Sequence, residues 1–382
     1  MVRNLVIFGA TGSIGDSALN VIRRNRDKFG IIGIVACSNF TKLAQISREF
    51  GVKKIGIANR QVFVAERARD LFPTDTAFFF GADGSCELAA DERADSILMA
   101  IPGADGILPT VAAIGARKTI ILASKEVLVA AGRFVMEEAG LRSVKILPVD
   151  SEHSAIFQCM AGEENFVKRV ILTASGGPFR TYTRAQLEEV TVEDSLRHPT
   201  WSMGKKITID SATMANKGFE MIEAKWLFGL NSEQISVVVH PESIVHSLVE
   251  FCDGSMLGQL APPSMEYPLS NCLFYPSRER NDAKGIGLGE IGKLTFEEPN
   301  YELFPHLKLA ETCLRIGGNS AAALLGANGV AVEAFLAKKI KYLDICRIAS
   351  EVLETYTGER EYTLGAAMET IARAQELAQN LL

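Results

Sequence analysis

One turn near the start of the chain constrains its fold more than any other stretch. Leu5-Val6-Ile7-Phe8 is a short apolar run, and Gly9-Ala10-Thr11-Gly12-Ser13-Ile14-Gly15 follows it directly and opens a helix-like segment. The spacing G-x-x-G-x-x-G is related to the dinucleotide fingerprint of β-α-β folds. There the glycines let the backbone approach a pyrophosphate, and the helix N-terminus attracts its charge. Tight strand-to-helix turns use glycine for other reasons too, so the surrounding pattern must decide. Here it does: residues 31–36, 54–58, 96–100 and 119–123 read as strands and alternate with helix-like segments such as 42–50 and 61–72. That alternation predicts a parallel α/β sheet with helices on both faces.

The end of the second strand bears on which dinucleotide is bound. It reads Ala36-Cys37-Ser38-Asn39, without the carboxylate that binds a ribose 2′-hydroxyl in NAD-specific folds. Ser38 and Asn39 can donate hydrogen bonds to a 2′-phosphate, which favours NADP; the alternative is that they are merely loop-forming polar residues. Gly9, Thr11, Gly12, Ser13, Ile14, Cys37, Ser38 and Asn39 are the candidate cofactor residues of this half.

After residue 149 the texture changes. Residues 170–173, 235–240, 247–251 and 256–260 read as strands, the last two joined by Cys252-Asp253-Gly254-Ser255, whose Asp-Gly is a hairpin signal. Residues 276–304 are rich in Pro, Gly and charge, and from about 305 the chain is helical. The expected layout is an N-terminal Rossmann-type parallel-sheet domain over 1–149 and a central α+β catalytic domain over 150–275. A linker follows over 276–304, then a C-terminal helical bundle over 305–382.

Three stretches carry chemistry. Asp150-Ser151-Glu152 places two carboxylates two apart at the end of a probable strand; an extended backbone points both to one side, where a cation relieves their repulsion. Oxygen ligands suit Mg²⁺ or Mn²⁺. The spacing leaves a helix N-cap equally open, with Glu152 in an acid-preferring first turn. His198 to Lys206 holds Trp201 and Met203 in an aperiodic polar loop, as core anchors or as a lid over a ligand. In Asp210 to Glu220, helical spacing sets Asn216 and Glu220 on one face beside Lys217. Ser211, Asn216 and Lys217 suit a phosphate, and Glu220 suits a third carboxylate ligand; the plainer alternative is a solvated Glu pairing across one turn.

These stretches, with Ala123-Ser124-Lys125-Glu126, Ala174-Ser175-Gly176-Gly177-Pro178-Phe179 and His240-Pro241-Glu242-Ser243-Ile244-Val245-His246-Ser247, occur in an order that resembles the 1-deoxy-D-xylulose 5-phosphate reductoisomerase family from residue 2 to about 340. The resemblance implies a metal site of Asp150, Glu152 and Glu220. It implies substrate contacts at Ser151, Glu152, Ser175, His198, Trp201, Met203, Ser211, Asn216, Lys217 and Glu220, with Lys125, Glu152 and His198 catalytic and His153 and His246 near the site. Ser124, Glu126 and Gly204 join the NADPH contacts, and residues 197–206 form a flap. It further implies reduction and isomerisation of a ketose phosphate to 2-C-methyl-D-erythritol 4-phosphate by retro-aldol and aldol steps followed by hydride transfer. NADPH and Mg²⁺ or Mn²⁺ are the expected cofactors, and the expected assembly is a homodimer. Ser38 departs from a Lys found in many relatives, Ser124 from Asn, Ala215 from Met and Gly329 from Glu; none removes a catalytic group.

Composition narrows the alternatives. Forty Lys and Arg against 46 Asp and Glu give a net charge of −6, a poor match to the basic footprint of a nucleic-acid binder. No apolar run reaches the 18 residues of a membrane-spanning helix, and the N-terminus lacks signal-peptide architecture. Seven scattered cysteines without C-x-x-C fit a reducing compartment, so a cytoplasmic location is expected. A semialdehyde dehydrogenase with a catalytic Cys, or an NADP-sensing module, explains neither the acid set nor the phosphate-binding set.

Overall fold

The computed structural model describes residues 2–201, 203–280, 285–356 and 362–382. Ser202 of the expected flap and residues 281–284 of the expected linker lie outside the described residues. The chain divides into two compact units, one of residues 1–127, 135–150 and 265–281, the other of residues 128–134, 151–264 and 282–382.

The first unit is built on seven strands: β1 (Arg3–Phe8), β2 (Phe29–Ala36), β3 (Lys54–Ile57), β4 (Ala77–Phe80), β5 (Ser96–Met99), β6 (Thr119–Leu122) and β7 (Ile146–Pro148). Their order is β4-β3-β2-β1-β5-β6-β7, and every pairing is parallel. Leu5, Val6, Ile7 and Phe8 are wholly buried, as a strand covered on both faces must be. The chain order reverses beside β1, and in such sheets ligands bind outside the carboxyl ends of the strands at that point. The strand β4 is missing from the sequence reading. It is a four-residue edge strand whose Phe78 and Phe80 pack with Phe63 and Phe72, an aromatic cluster with no two-residue alternation to reveal it.

The second unit holds β8 (Val167–Ala174), β9 (Ile235–Val239), β10 (Val245–Phe251) and β11 (Met256–Leu260) in the order β11-β10-β8-β9. Only β8 and β9 run parallel. The Asp-Gly hairpin forms between β10 and β11, with Gly254 at φ 84° and Asp253 accepting from the Ser255 amide (2.8 Å). Helices His306–Ile316, Ser320–Leu336, Tyr342–Glu354 and Leu364–Asn380 complete the unit.

The layout differs from expectation in three respects. The C-terminal helices share one compact unit with the central sheet, because the apolar Ser320–Leu336 helix is buried along nearly its whole length. The segment 265–281 belongs to the first unit. There Glu266 meets Arg24 and Asn20, and Arg3 donates to the Leu273 (2.6 Å) and Tyr275 (2.8 Å) carbonyls. Within the expected linker, Glu297 is held against the second unit's sheet and loop. Glu297 exchanges two backbone hydrogen bonds with Val239 (2.8 and 2.9 Å), and its carboxylate takes both Arg180 contacts at 2.7 Å. Among the described residues no helix is long and apolar enough to cross a membrane.

Candidate active site

The glycine turn of the first unit is sterically specified. Gly9 has φ 79°, and a Cβ on it would collide with the Ala100 carbonyl; a Cβ on Gly15 would lie 2.6 Å from the Gly9 and Ala10 oxygens. Gly12 precedes the Ser13–Arg24 helix without a side-chain cap, and Gly12 and Ser13 are exposed. A turn that packs backbone on backbone just ahead of a helix N-terminus fits a dinucleotide pyrophosphate.

At the end of β2, Cys37, Ser38 and Asn39 are exposed. Asn39 caps the Phe40–Phe50 helix, its Oδ1 accepting from the Lys42 amide (3.1 Å). Lys42 was missed in the sequence. Its ammonium reaches back to the Thr11 carbonyl (3.0 Å) and to Asp16 (2.6 Å), putting a cation between the strand end and the glycine turn. Ser124 is buried, and its hydroxyl donates to the Ile101 carbonyl (2.6 Å). Glu126 opens the Glu126–Leu141 helix. Lys125, 7% exposed, forms an ion pair with Asp150 at the end of β7.

Of the two open readings of the stretch from Asp150 to Glu152, the structure has the helical one, beginning where the chain re-enters the second unit. Ser151 begins the Ser151–Met160 helix, so Glu152 stands in a first helical turn. The Ser151 hydroxyl donates to Glu152 (2.6 Å). Met214, at φ 61°, breaks the Asp210–Glu220 stretch into the Lys205–Ala212 and Ala215–Phe228 helices. The second of these sets Asn216 one turn from Glu220, and Asn216 donates to its carboxylate (2.6 Å). Lys217 bridges the acids: its ammonium binds Glu152 at 2.6 Å and Glu220 in a second contact. Lys217 and Glu220 are 4% and 1% exposed. Burial alone would lower the Lys217 pKa, but the two carboxylates outweigh it and hold the group above its ordinary value. Sequence reading gave Lys217 to a phosphate; in the fold its partners are the acids. His153, wholly buried, meets the Glu220 carbonyl through Nε2 (2.9 Å) and fixes that turn of helix.

A second cluster surrounds His198. Its Nδ1 accepts from the Thr200 (3.1 Å) and Trp201 (2.9 Å) amides, which leaves Nε2 as the protonated nitrogen. Nε2 lies 3.1 Å from both Ser175 and Ser211 Oγ. Burial lowers the His198 pKa, so the ring is a neutral donor. Gly177, at φ 66°, makes the approach feasible: a Cβ there would lie 2.9 Å from the Ser211 carbonyl. Trp201 and Met203 are half-buried, and the Trp201 ring lies 6.4 Å from that of His246. Gly204 caps the Lys205–Ala212 helix, so Lys205 and Lys206 of the expected flap are helical.

The donor set fits a hard divalent cation. Glu152 and Glu220 offer carboxylate oxygens that already converge on one cation, the Lys217 ammonium, and Asp150 adjoins Ser151 in the chain.

A parallel dinucleotide-type sheet with an open glycine turn, joined in one chain to clustered acids and a hydroxyl–imidazole set, defines an enzyme of the nucleotide-dependent oxidoreductase class. Family models for 1-deoxy-D-xylulose 5-phosphate reductoisomerase match residues 5–132, for its C-terminal domain residues 146–228, and for the DXP reductoisomerase C-terminal domain residues 260–380. The chain belongs to the 1-deoxy-D-xylulose 5-phosphate reductoisomerase family. It is 44% identical to the reductoisomerase of Lachnospira eligens over 382 residues, covering 100% of this chain and 99% of that protein. It is also 44% identical to that of Chlorobium chlorochromatii, covering 100% of each. A solved DOX-P reductoisomerase in complex with NADPH, fosmidomycin and magnesium superposes with TM-score 0.94 at 39% identity, over 99% of this chain and 98% of that one. The Zymomonas mobilis reductoisomerase in complex with NADPH gives TM-score 0.92 at 39% identity, over 100% and 99%.

Proposed function

We propose that this chain converts 1-deoxy-D-xylulose 5-phosphate to 2-C-methyl-D-erythritol 4-phosphate with NADPH and a divalent metal. The observation that carries the reading is the convergence of Glu152 and Glu220 on one buried cation, in a unit that also sets His198 between two serines. NADPH supplies the hydride, and Mg²⁺ or Mn²⁺ the Lewis acidity at the substrate's carbonyl and neighbouring hydroxyl. Asp150, Glu152 and Glu220 are the residues that hold the ion. Lys125 pairs with Asp150, and Lys217 pairs with both Glu152 and Glu220. Neutral His198 donates from Nε2, and with Ser175, Ser211 and Asn216 it grips the sugar phosphate; the same four donors suit a phosphonate. Trp201 and Met203 of the 197–206 flap exclude water.

The direct test is NADPH oxidation with the sugar phosphate, with and without Mg²⁺. Turnover that survives a chelator overturns the metal assignment. Trp201→Ala lowers turnover about tenfold or more through looser substrate placement, with little change in melting temperature; an unfolded variant makes Trp201 a core residue instead.

Cofactor preference follows from the strand end. With no carboxylate after Ala36 and with Lys42 beside the glycine turn, NADPH is preferred to NADH. Ser38→Asp weakens NADPH binding by charge repulsion, and Lys42→Gln weakens it roughly tenfold while leaving NADH nearly unaffected. Fluorescence titration with both nucleotides checks this, and equal losses for both remove Lys42 from the 2′-phosphate.

The homodimer reading is supported by β11. This edge strand of the second unit exposes Met256, Leu257 and Leu260 by more than a third each, and an open apolar edge is a template for another strand. The seven free thiols support a cytoplasmic location.

A further inference from the structure

The Lys205–Ala212 and Ala215–Phe228 helices meet at Met214, whose left-handed backbone is disfavoured for a residue with a side chain and persists only where the surroundings over-determine it. Ser211 lies just before this joint; Asn216 and Lys217 lie just after it. The C-terminal helices grip the joint at successive points. Asn328, wholly buried on the apolar Ser320–Leu336 helix, donates from Nδ2 to Asp210 Oδ1 (2.7 Å). Asp210 Oδ2 takes the Lys206 ammonium (2.7 Å). The Tyr342 hydroxyl donates to the Ala212 carbonyl (2.7 Å). His306, also buried, faces the Thr213 backbone with Asn328 and Asp210 beside it. Beyond the joint, a Cβ on Gly218 would lie 3.0 Å from Ala310 Cβ and 3.2 Å from the His306 carbonyl, so that helix is pressed against His306–Ile316.

Stability alone does not explain these groups. A buried carboxylate is costly unless it is fully hydrogen-bonded, and apolar side chains of the same volume often hold a core at least as well. A half-open cavity of about 260 Å³, whose lining includes Thr213, His306 and Tyr342, lies beside the joint, so on that side polar contacts rather than a filled core meet it. What remains for the polar contacts is placement.

We propose that Asp210, Asn328 and Tyr342 are positioning residues. By holding the Ser211–Asn216 joint they set Ser211 against His198 and aim Asn216, so the C-terminal helices complete the phosphate end of the site. The proposal rests on the reading of Ser175, Ser211 and Asn216 as phosphate donors.

The test uses the full chain with Asn328→Leu, which removes the donor at similar volume, and Tyr342→Phe, which removes one hydroxyl. Steady-state kinetics, NADPH titration and amide exchange over residues 208–218 are read together. Either variant raises KM for the sugar phosphate about tenfold, the scale of one lost buried hydrogen bond, with kcat less affected and NADPH affinity unchanged. Exchange over 208–218 quickens while β1 keeps its protection. A KM within twofold of the parent overturns the proposal even if the melting temperature falls, because the residues are then merely structural. If the parent shows no turnover and inorganic phosphate protects none of the donor residues, the phosphate reading fails separately. Exchange over 208–218 then decides the clamp: faster exchange upholds it, and unchanged exchange overturns it.

Discussion

Glu220→Gln loses turnover by about three orders of magnitude or more, while the variant still binds NADPH. The substitution keeps the volume of a side chain that is 1% exposed and removes its charge. Metal-assisted steps draw several kcal/mol from the ion, and each 1.4 kcal/mol is about tenfold in rate. The glycine turn belongs to the other compact unit, so the nucleotide affinity of the variant stays near that of the parent. Glu152→Gln behaves alike, and Asp150→Asn likewise loses turnover. A melting-temperature loss accompanies Glu220→Gln, because Lys217 keeps only Glu152 and an under-compensated buried ammonium costs about 3–5 kcal/mol. Isothermal titration with Mn²⁺ separates the two effects: a folded variant that binds the ion as the parent does removes Glu220 from the metal set. Parent metal affinity itself weakens on acidification, because the ligands must be deprotonated.

The second large effect is acid lability traceable to His306. Burial pushes its pKa down to about 4, only partly offset by Asp210. An unfolded chain titrates the same ring near 6.5. Between these values the unfolded state binds the extra proton, so stability rises with pH there and is lost as pH falls from about 6.5 to about 4, by about 3 kcal/mol in all. His198 and His246 are shifted the same way by burial and add to the slope. Asp91, held near 2 despite burial by Lys54 and Arg93, sheds its contribution only below about pH 4. The loss is therefore measurable as the difference between parent and His306→Gln in denaturant midpoints at several pH values. Equal slopes for the two proteins would falsify the assignment.

How much of this was legible depends on the range of each interaction. The glycine turn and β1 are readable because an apolar run and its punctuation are local signals. The Asn216–Glu220 pair is readable because 3.6-residue periodicity puts them one turn apart. Asp150 to Glu152 stays open between the two readings in the sequence because a strand end and a helix start share one residue boundary there, and the polar residues suit both. The pairing of Lys217 with Glu152 spans 65 residues, and that of Asn328 with Asp210 spans 118. Nothing in either local pattern points to the partner. A resemblance to a family carries residue identities across such distances, but it does not say which side chains occupy each other in the fold. Lys42 illustrates the point: its bonds to the glycine turn at Thr11 and to Asp16 in the helix that follows give it a place that neither spacing nor motif suggested.

The division of the chain has a consequence for biosynthesis. The backbone passes between the two compact units at residues 127/128, 134/135, 150/151, 264/265 and 281/282. A ribosome therefore releases all seven strands of the parallel sheet long before it makes the Glu266–Phe274 helix that packs on the Ser13–Arg24 helix. Until then that flank of the nascent sheet is uncovered, a state in which exposed apolar surface invites aggregation and chaperone capture. A fragment ending at residue 150 keeps the complete nucleotide motif yet lacks its late-arriving cover. Truncation at the apparent domain boundary yields a less soluble protein than one in which residues 265–281 are rejoined to it by a short linker.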